Sequence, residues 1–238
     1  MRVVVSLTTI PDRVGGIGRT IDSITRQAAR PDLIYLTIPE ICRRRPKKTY
    51  EIPRDIRDNR FVRVIGTDYD HGPSMKLLGA LQEENDPDCI IITVDDDHEY
   101  DERFIETLLF FERERPESAL GFNGWMVRPL IEENRYVFIE EYAGEPVRCD
   151  VLEGYRGVLY KKRFFDGTVF QYEGFPRTAH LVDDVWISAH LAERGVERLV
   201  LPGVYSKEHE LPRGLHKSLR FKRYNRKMAA EFEARGCW

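Results

Sequence analysis

The sequence predicts an α/β protein in which helices flank a mixed, mainly parallel central sheet, and three observations lead to that fold class. Short β-rich runs alternate with helical patterns from Val3 to Asp95. The run CIIITV at residues 89–94 is continuously apolar, as expected for a strand covered on both faces. No repeat, low-complexity tract or Gly/Ser linker divides the 238 residues, so a single domain, 1–238, is the simplest organisation.

The predicted elements follow one another in a regular order. In the first half they are a strand at 3–10, a helix at 17–28, strands at 33–38 and 61–65, a helix starting at Met75, the strand at 89–94 and a helix at 104–111. The Pro-, Arg- and Lys-rich stretch 43–59 is predicted to be a surface excursion between strands, with its basic residues facing solvent.

The second half is less regular. Aromatic residues, glycines and charges mix from Gly121 to Gly174 without one period, so short strands and substrate loops are expected there. A helix is predicted at 183–194, because acidic residues open it and Gly195 follows it. A basic helix is predicted at 215–235, with its lysines and arginines on a solvated face or near an anionic or lipid-linked acceptor.

Composition and charge exclude several classes of protein. Lysine plus arginine number 37 against 40 aspartate plus glutamate, a net charge of −3 that does not favour nucleic acid as a partner. No run approaches the roughly 18 to 20 apolar residues of a transmembrane segment, and no signal pattern opens the chain, so a cytoplasmic location is expected. The cysteines at positions 42, 89, 149 and 237 lie far apart and are predicted to be free thiols.

Three successive aspartates, Asp95, Asp96 and Asp97, follow the apolar strand at 89–94. Like charges this close raise one another's pKa unless a cation neutralises them. In extended backbone Asp95 and Asp97 point to the same side, so both can bind one Mg²⁺ or Mn²⁺ ion, which also binds substrate phosphates. The alternative is an acidic loop that caps the next helix.

A second polar loop follows the first strand. Residues 8–13, TTIPDR, supply hydroxyl groups, a proline-fixed turn and a guanidinium group. In open parallel sheets ligands bind outside the carboxyl ends of the strands, so this loop and the aspartates are predicted to face one crevice that holds a nucleotide. A helix entry with Arg13 exposed is the alternative.

Five blocks of the sequence resemble, in this order, nucleotide-sugar glycosyltransferases of the GT-A fold. They are SLTTIPDR, DYDHGPSMKLLGAL, IITVDDDHEY, LEGYRGVLYKKRFF and DDVWISAHLAERG. They are similar to small family-2-like sugar transferases of bacterial polysaccharide and large-virus glycan pathways, including the amino-terminal transferase domain of a chlorovirus glycan-building enzyme. The resemblance implies a Rossmann-like nucleotide-binding half at 1–100 and an acceptor-binding half at 101–238.

The resemblance also implies roles on the donor side. It places Asp95 at the ribose or base of the donor and at the metal, and Asp97 at the metal that bridges the diphosphate, with Asp96 assisting. It further implies that Thr8, Thr9 and Arg13 line the nucleotide pocket and that Lys76 offers a cation to the phosphates or to the aspartates. A solvated helix lysine is the alternative for Lys76.

The pair Asp183 and Asp184 resembles the acidic pair that supplies the catalytic base in inverting members, and Asp184 is the preferred base. A carboxylate within hydrogen-bond reach can take the proton of an attacking hydroxyl group. The common pair is Glu-Asp, so the Asp-Asp pair leaves open which carboxylate acts, and an N-cap pair is the alternative.

Late basic residues complete the predicted donor site. The resemblance implies that His209, after the predicted strand VLPGVYS, completes the metal shell. A surface histidine is the alternative. Four further residues are candidates to close over the diphosphate, namely Lys207, Arg213, His216 and Lys217.

The acceptor site is predicted to involve a glycine-containing loop and aromatic side chains. The resemblance places Glu153 and Arg156 near the acceptor. Tyr155 and Trp186 can present apolar faces to a sugar, although core packing is the stronger interpretation for Trp186.

These predictions combine into a metal-dependent, inverting hexosyl- or deoxyhexosyltransferase that uses a UDP-sugar donor and a glycan or glycolipid acceptor. Two alternatives remain. Asp95-x-Asp97 also fits a phosphohydrolase of the haloacid-dehalogenase type with Asp95 as nucleophile. The other is a non-enzymatic sugar- or nucleotide-binding module.

Overall fold

The computed structural model describes residues 1–203, 205–211 and 219–238. Its strands are β1 Val3–Thr8, β2 Leu33–Pro39, β3 Val62–Thr67, β4 Ile90–Thr93, β5 His98–Tyr100, β6 Ser118–Gly121, β7 Asn123–Trp125, β8 Phe138–Glu140, β9 Val147–Arg148, β10 Val151–Leu152, β11 Val158–Lys161, β12 Glu197–Val200 and β13 Ser206–Glu208. Its α-helices are α1 Gly18–Thr25, α2 Arg54–Arg57, α3 Met75–Glu83, α4 Phe104–Glu114, α5 Val127–Glu133, α6 Asp183–Glu193 and α7 Leu219–Glu233.

The central sheet has eight strands in the order β3-β2-β1-β4-β11-β6-β12-β9. The four strands β3, β2, β1 and β4 pair in parallel, whereas β11 is antiparallel to both of its neighbours. The predicted mixed, mainly parallel sheet is therefore confirmed. The predicted halves, 1–100 and 101–238, each contribute four strands to this one sheet.

Both faces of the sheet are covered, which explains the continuous apolar runs in the sequence. Along β1, Val4 packs into one hydrophobic cluster, while Val3 and Val5 pack into the other. Because successive side chains of a strand point to opposite faces, helices on both sides must bury them. No helix in the described part of the chain is both long and apolar enough to cross a bilayer.

Helix α3 packs closely on β2, and this contact positions Lys76. A Cβ added at Gly79 would lie 2.1 Å from the Thr37 hydroxyl oxygen, so only glycine allows this approach. The short 3₁₀ turn Gly72–Ser74 leads into α3 and places Lys76 in its first turn. Lys76 is therefore held near the carboxyl edge of the sheet rather than in solvent.

Two local predictions are wrong. The stretch VLPGVYS is not one strand, because β12 ends at Val200 and Ser206 begins β13, which pairs with β5. The backbone also does not stay extended through the three aspartates: β4 ends at Thr93, and Asp96 and Asp97 lie in a turn before β5. The expected alternation of Asp95 and Asp97 on one side therefore does not apply.

Candidate active site

A cavity of about 520 Å³ opens at the carboxyl edge of the sheet, where β1, β2 and β4 end. Its volume lies within the roughly 300 to 1,000 Å³ of small-molecule sites. The predicted site residues that line it are Thr8, Thr9, Arg13, Lys76, Asp95, Asp96, Asp97, Glu153, Tyr155, Arg156, Asp183 and Asp184. The topology thus brings together residues that are far apart in the sequence.

Arg13 holds two of the three aspartates. Its guanidinium lies 2.8 Å from Asp96 Oδ1 and also forms an ion pair with Asp97 Oδ2. The Thr9 hydroxyl donates to Asp96 Oδ2 at 2.5 Å. Arg13 is buried, so the alternative of an exposed helix-entry arginine is excluded.

The environments of Asp96 and Asp97 separate their pKa values. Burial raises the pKa of Asp96 to about 6, against the opposing effect of Arg13. Burial alone would raise the pKa of Asp97 too, but His98 and Arg13 lower it well below its usual range. His98 Nδ1 lies 3.1 Å from Asp97 Oδ1. Asp97 therefore stays ionised at neutral pH.

Lys76 connects the aspartates that follow β4 with the acidic pair at the start of α6. Its Nζ lies 2.6 Å from Asp95 Oδ1 and 2.8 Å from Asp183 Oδ2, and its side chain is only 4% exposed. Burial would lower the pKa of Lys76, but the aspartates around it, Asp183 first, raise the pKa well above its usual value. The alternative of a solvated lysine is therefore excluded.

Asp184 lies at the start of α6, against the loop that carries Gly154. The Gly154 backbone N–H donates to Asp184 Oδ1 at 2.9 Å. Burial, and then repulsion from Asp183, raise the pKa of Asp184 well above its usual value, while Lys76 opposes this. A carboxyl group with a raised pKa in a cavity is suited to accept a proton near neutral pH.

Glu153, Tyr155 and Arg156 form another wall of the cavity. The Asn123 side-chain amide donates to Glu153 Oε2 at 2.9 Å and also contacts the Tyr155 hydroxyl group. Burial, and then Glu140, raise the pKa of Glu153 to about 7. This wall therefore presents a carboxyl group, a phenol and a guanidinium group, which can form hydrogen bonds with a polar ligand.

Trp186 requires a correction, because its side chain is fully buried and is not part of the cavity lining. Its indole N–H donates to the Val169 carbonyl oxygen at 2.9 Å, and its ring stacks on Tyr172 with centroids 4.0 Å apart. Trp186 thus packs in the core on the inner face of α6 and does not contact an acceptor in the cavity.

His209 also lies elsewhere than predicted. Its backbone N–H donates to the Asp97 carbonyl oxygen at 2.8 Å, but its ring Nε2 lies 3.1 Å from the Thr20 hydroxyl oxygen, outside the cavity lining. Strand β13 brings the backbone of this segment beside β5, while the His209 ring contacts the Thr20 hydroxyl group. Lys207 does not line the cavity, and Arg213, His216 and Lys217 lie outside the described residues.

The acidic residues suit a divalent ion bound together with phosphate. Within 1–203, 205–211 and 219–238, no three His, Cys, Asp or Glu side chains converge as a metal site. Mg²⁺ and similar ions, however, commonly use one or two carboxylates and complete their shell with water and substrate phosphates. Among the described residues, the cavity lining carries eight carboxyl groups and four basic side chains, Arg13, Arg44, Lys76 and Arg156. A divalent ion would reduce the repulsion between these carboxylates and an anionic ligand in the cavity.

Several cavity residues were missed in the sequence. Arg44 and Tyr50 belong to the stretch 43–59, which was predicted to be a surface excursion, and both line the cavity together with Cys42, which directly precedes that stretch. Its position in the chain could have indicated this, because the excursion follows the carboxyl end of β2. The two predicted loops begin at the same edge of the sheet. His98 was also missed, because its role depends on the turn at Asp96 and Asp97.

Comparisons with known proteins support the fold and leave the substrate open. No protein-family profile and no curated protein matches the sequence. The crystal structure of S. aureus TarS 1-349 is similar, with a TM-score of 0.52 and 14% identity, over 87% of this chain and 60% of that one. The chain thus spans about 60% of that structure's length. This likeness shows a shared Rossmann-like fold of the glycosyltransferase type; the family-2 and chlorovirus likeness stays a prediction.

Proposed function

We propose that this protein is a glycosyltransferase that moves a sugar from a UDP-sugar to a hydroxyl group of a glycan or glycolipid, with inversion and with Mn²⁺ or Mg²⁺. One observation carries the proposal: Asp95–Asp97 and the pair Asp183–Asp184 face one cavity, with Lys76 between them. A transferase needs both a site for the leaving diphosphate and a base for the acceptor, and these sets supply them.

In the proposed reaction the acceptor oxygen forms a bond to the anomeric carbon as the bond from that carbon to the diphosphate oxygen breaks. The electron pair leaves with UDP, and the acceptor proton goes to an Asp184 carboxylate oxygen. Asp183 forms an ion pair with Lys76, so it is the poorer base of the two. Glu153 and Tyr155, beside the Gly154 N–H that binds Asp184, orient the acceptor hydroxyl groups.

Asp97 and Asp95 are the residues that would hold the ion. When bound, the ion supplies Lewis-acid stabilisation of the negative charge that develops on the diphosphate. Arg13 keeps Asp97 oriented and ionised, and Lys76 holds the Asp95 carboxylate in position through an ion pair. These cations are already in place before substrate binds, which favours electrostatic stabilisation in the transition state.

A thermal-shift panel of nucleotide sugars, each with and without Mn²⁺, tests the proposal. A ligand that binds only the native state stabilises it by RT ln(1 + [L]/Kd), about 2.7 kcal/mol at 100 times Kd. We expect UDP-sugars to raise Tm, more so with Mn²⁺, and other nucleotide sugars to raise it less. A panel without any shift, combined with hydrolysis of a simple phosphate ester, would instead favour the phosphohydrolase.

Replacing Gly154 by alanine is expected to lower the transfer rate without unfolding the protein. The new Cβ would lie 2.4 Å from Lys76 Nζ and 3.1 Å from Asp184 Oδ1, so the flexible end of Lys76 must move away from its carboxylates. A displacement of about 1 Å in such a site can cost on the order of 100-fold in rate. The measurement is kcat with the preferred UDP-sugar, together with Tm.

Gly167→Ala is the matched control, because Gly167 also begins a 3₁₀ turn and an added Cβ meets nothing within 4 Å. We expect this control to keep wild-type kcat. Equal rates for both alanine variants would show that the position of Lys76 does not matter to the reaction.

A further inference from the structure

Residues 40–53, called here the β2 excursion, are fastened to the walls of the cavity. The Arg43 backbone N–H donates to Asp70 Oδ2 at 2.6 Å, and Asp70 Oδ1 accepts from the Gly72 N–H at 2.6 Å. The Tyr50 hydroxyl group donates to the Thr9 carbonyl oxygen at 3.1 Å. The excursion is thereby tied both to the loop after β1 and to the turn before α3.

A third attachment lies next to Arg44. Arg45 and Lys48 both form ion pairs with Asp12 in the loop after β1. The backbone on either side of Arg44 is therefore anchored, at Arg43 through Asp70 and at Arg45 through Asp12. Arg44 itself is partly buried and lines the cavity together with Cys42 and Tyr50.

Arg44 is a second guanidinium group on the side of the cavity where Arg13 lies. Burial, and then repulsion from Arg45, lower the pKa of Arg44, while the carboxylate of Asp96 raises it. A partly buried guanidinium group that lines a cavity can donate charge-assisted hydrogen bonds to an anion bound there.

We propose that Arg44 binds a phosphate group of the donor nucleotide and that the β2 excursion is the wall of the cavity that selects a nucleotide donor. The inference rests on the proposed function. Phosphate is the anionic part of such a donor, and the planar guanidinium fork pairs with phosphate oxygens in two parallel hydrogen bonds. Arg44 lies on the side of Arg13 and Thr9, whereas Asp184 and Glu153 form the side where the acceptor binds.

Binding of uridine, UMP and UDP, measured with Mn²⁺ present, tests this role without any turnover. We expect Arg44→Gln to weaken UMP and UDP binding about tenfold or more, since a charge-assisted pair is lost, and to leave uridine binding unchanged. Arg44→Lys keeps the charge but not the fork, so it should fall between wild type and Arg44→Gln. Lys47→Gln, an exposed position in the same excursion, is the matched control and should bind all three ligands as wild type does.

The possible results separate the two proposals. If the wild type and Arg44→Gln bind UDP equally well, the proposed role of Arg44 is wrong, while the proposed function still stands. Equal weakening for uridine, UMP and UDP also overturns it, because Arg44 would then contact the nucleoside rather than phosphate. A wild-type protein that binds none of the three overturns the proposed function together with this inference. Tm of each ligand-free variant checks that folding is retained.

Discussion

Asp97→Ala is expected to abolish sugar transfer and to remove the Mn²⁺ dependence of UDP binding. Asp97 stays ionised at neutral pH, because His98 and Arg13 lower its pKa against the opposing effect of burial. Loss of a residue that only orients a metal ligand costs roughly 10- to 100-fold in metal affinity or activity, so loss of the ligand itself should cost more. The measurements are donor turnover and UDP affinity with and without Mn²⁺.

The alanine variant also removes a buried partner of Arg13, which can destabilise the fold. Asp97→Asn is therefore the second variant, since it keeps the size of the side chain and an oxygen that accepts hydrogen bonds. Asp22→Ala, at an exposed position on α1, is the control for the loss of an acidic residue. Normal turnover in a folded Asp97→Asn variant would contradict the site assignment.

Local sequence patterns predicted three parts of the cavity lining: the loop after β1, the three aspartates and the acidic start of α6. The TTIPDR loop and the three aspartates each lie at the carboxyl end of an apolar run, and parallel strands bring their carboxyl ends to one edge. The acidic start of α6 was predicted from helix-terminus rules. Each of these signals spans only a few residues, so no long-range contact had to be known.

The partners of the acidic groups could not be predicted in the same way. Arg13 and Asp97 are 84 positions apart, and Lys76 reaches Asp183 from another element altogether. The alternation rule failed because the strand ends at Thr93, two residues before the first aspartate. For Arg44, a composition rich in charge and proline correctly indicated an irregular segment but could not show which face it turns to the cavity.

The second large effect on the transfer rate is expected from replacing Asp184, the proposed base. Asp184→Asn is expected to lower transfer by about 10² to 10⁴-fold, the usual contribution of a general base, while UDP-sugar affinity stays within a few-fold of wild type. The asparagine side-chain oxygen can still accept the Gly154 N–H, so the loop keeps its position. Only the negative charge and the capacity to take a proton are lost.

The pH profile gives an independent readout of the same role. Burial, and then Asp183, raise the pKa of Asp184, so kcat/KM of the wild type should rise with pH through a value above the usual 4 or so for aspartate, as the carboxyl group loses its proton. Asp184→Asn should lose that rise. If Asp183→Asn removes it and Asp184→Asn does not, Asp183 is the base, and its pairing with Lys76 is broken during turnover. NMR of the first-formed linkage completes the test, because a retained anomeric configuration would exclude direct displacement assisted by either carboxylate.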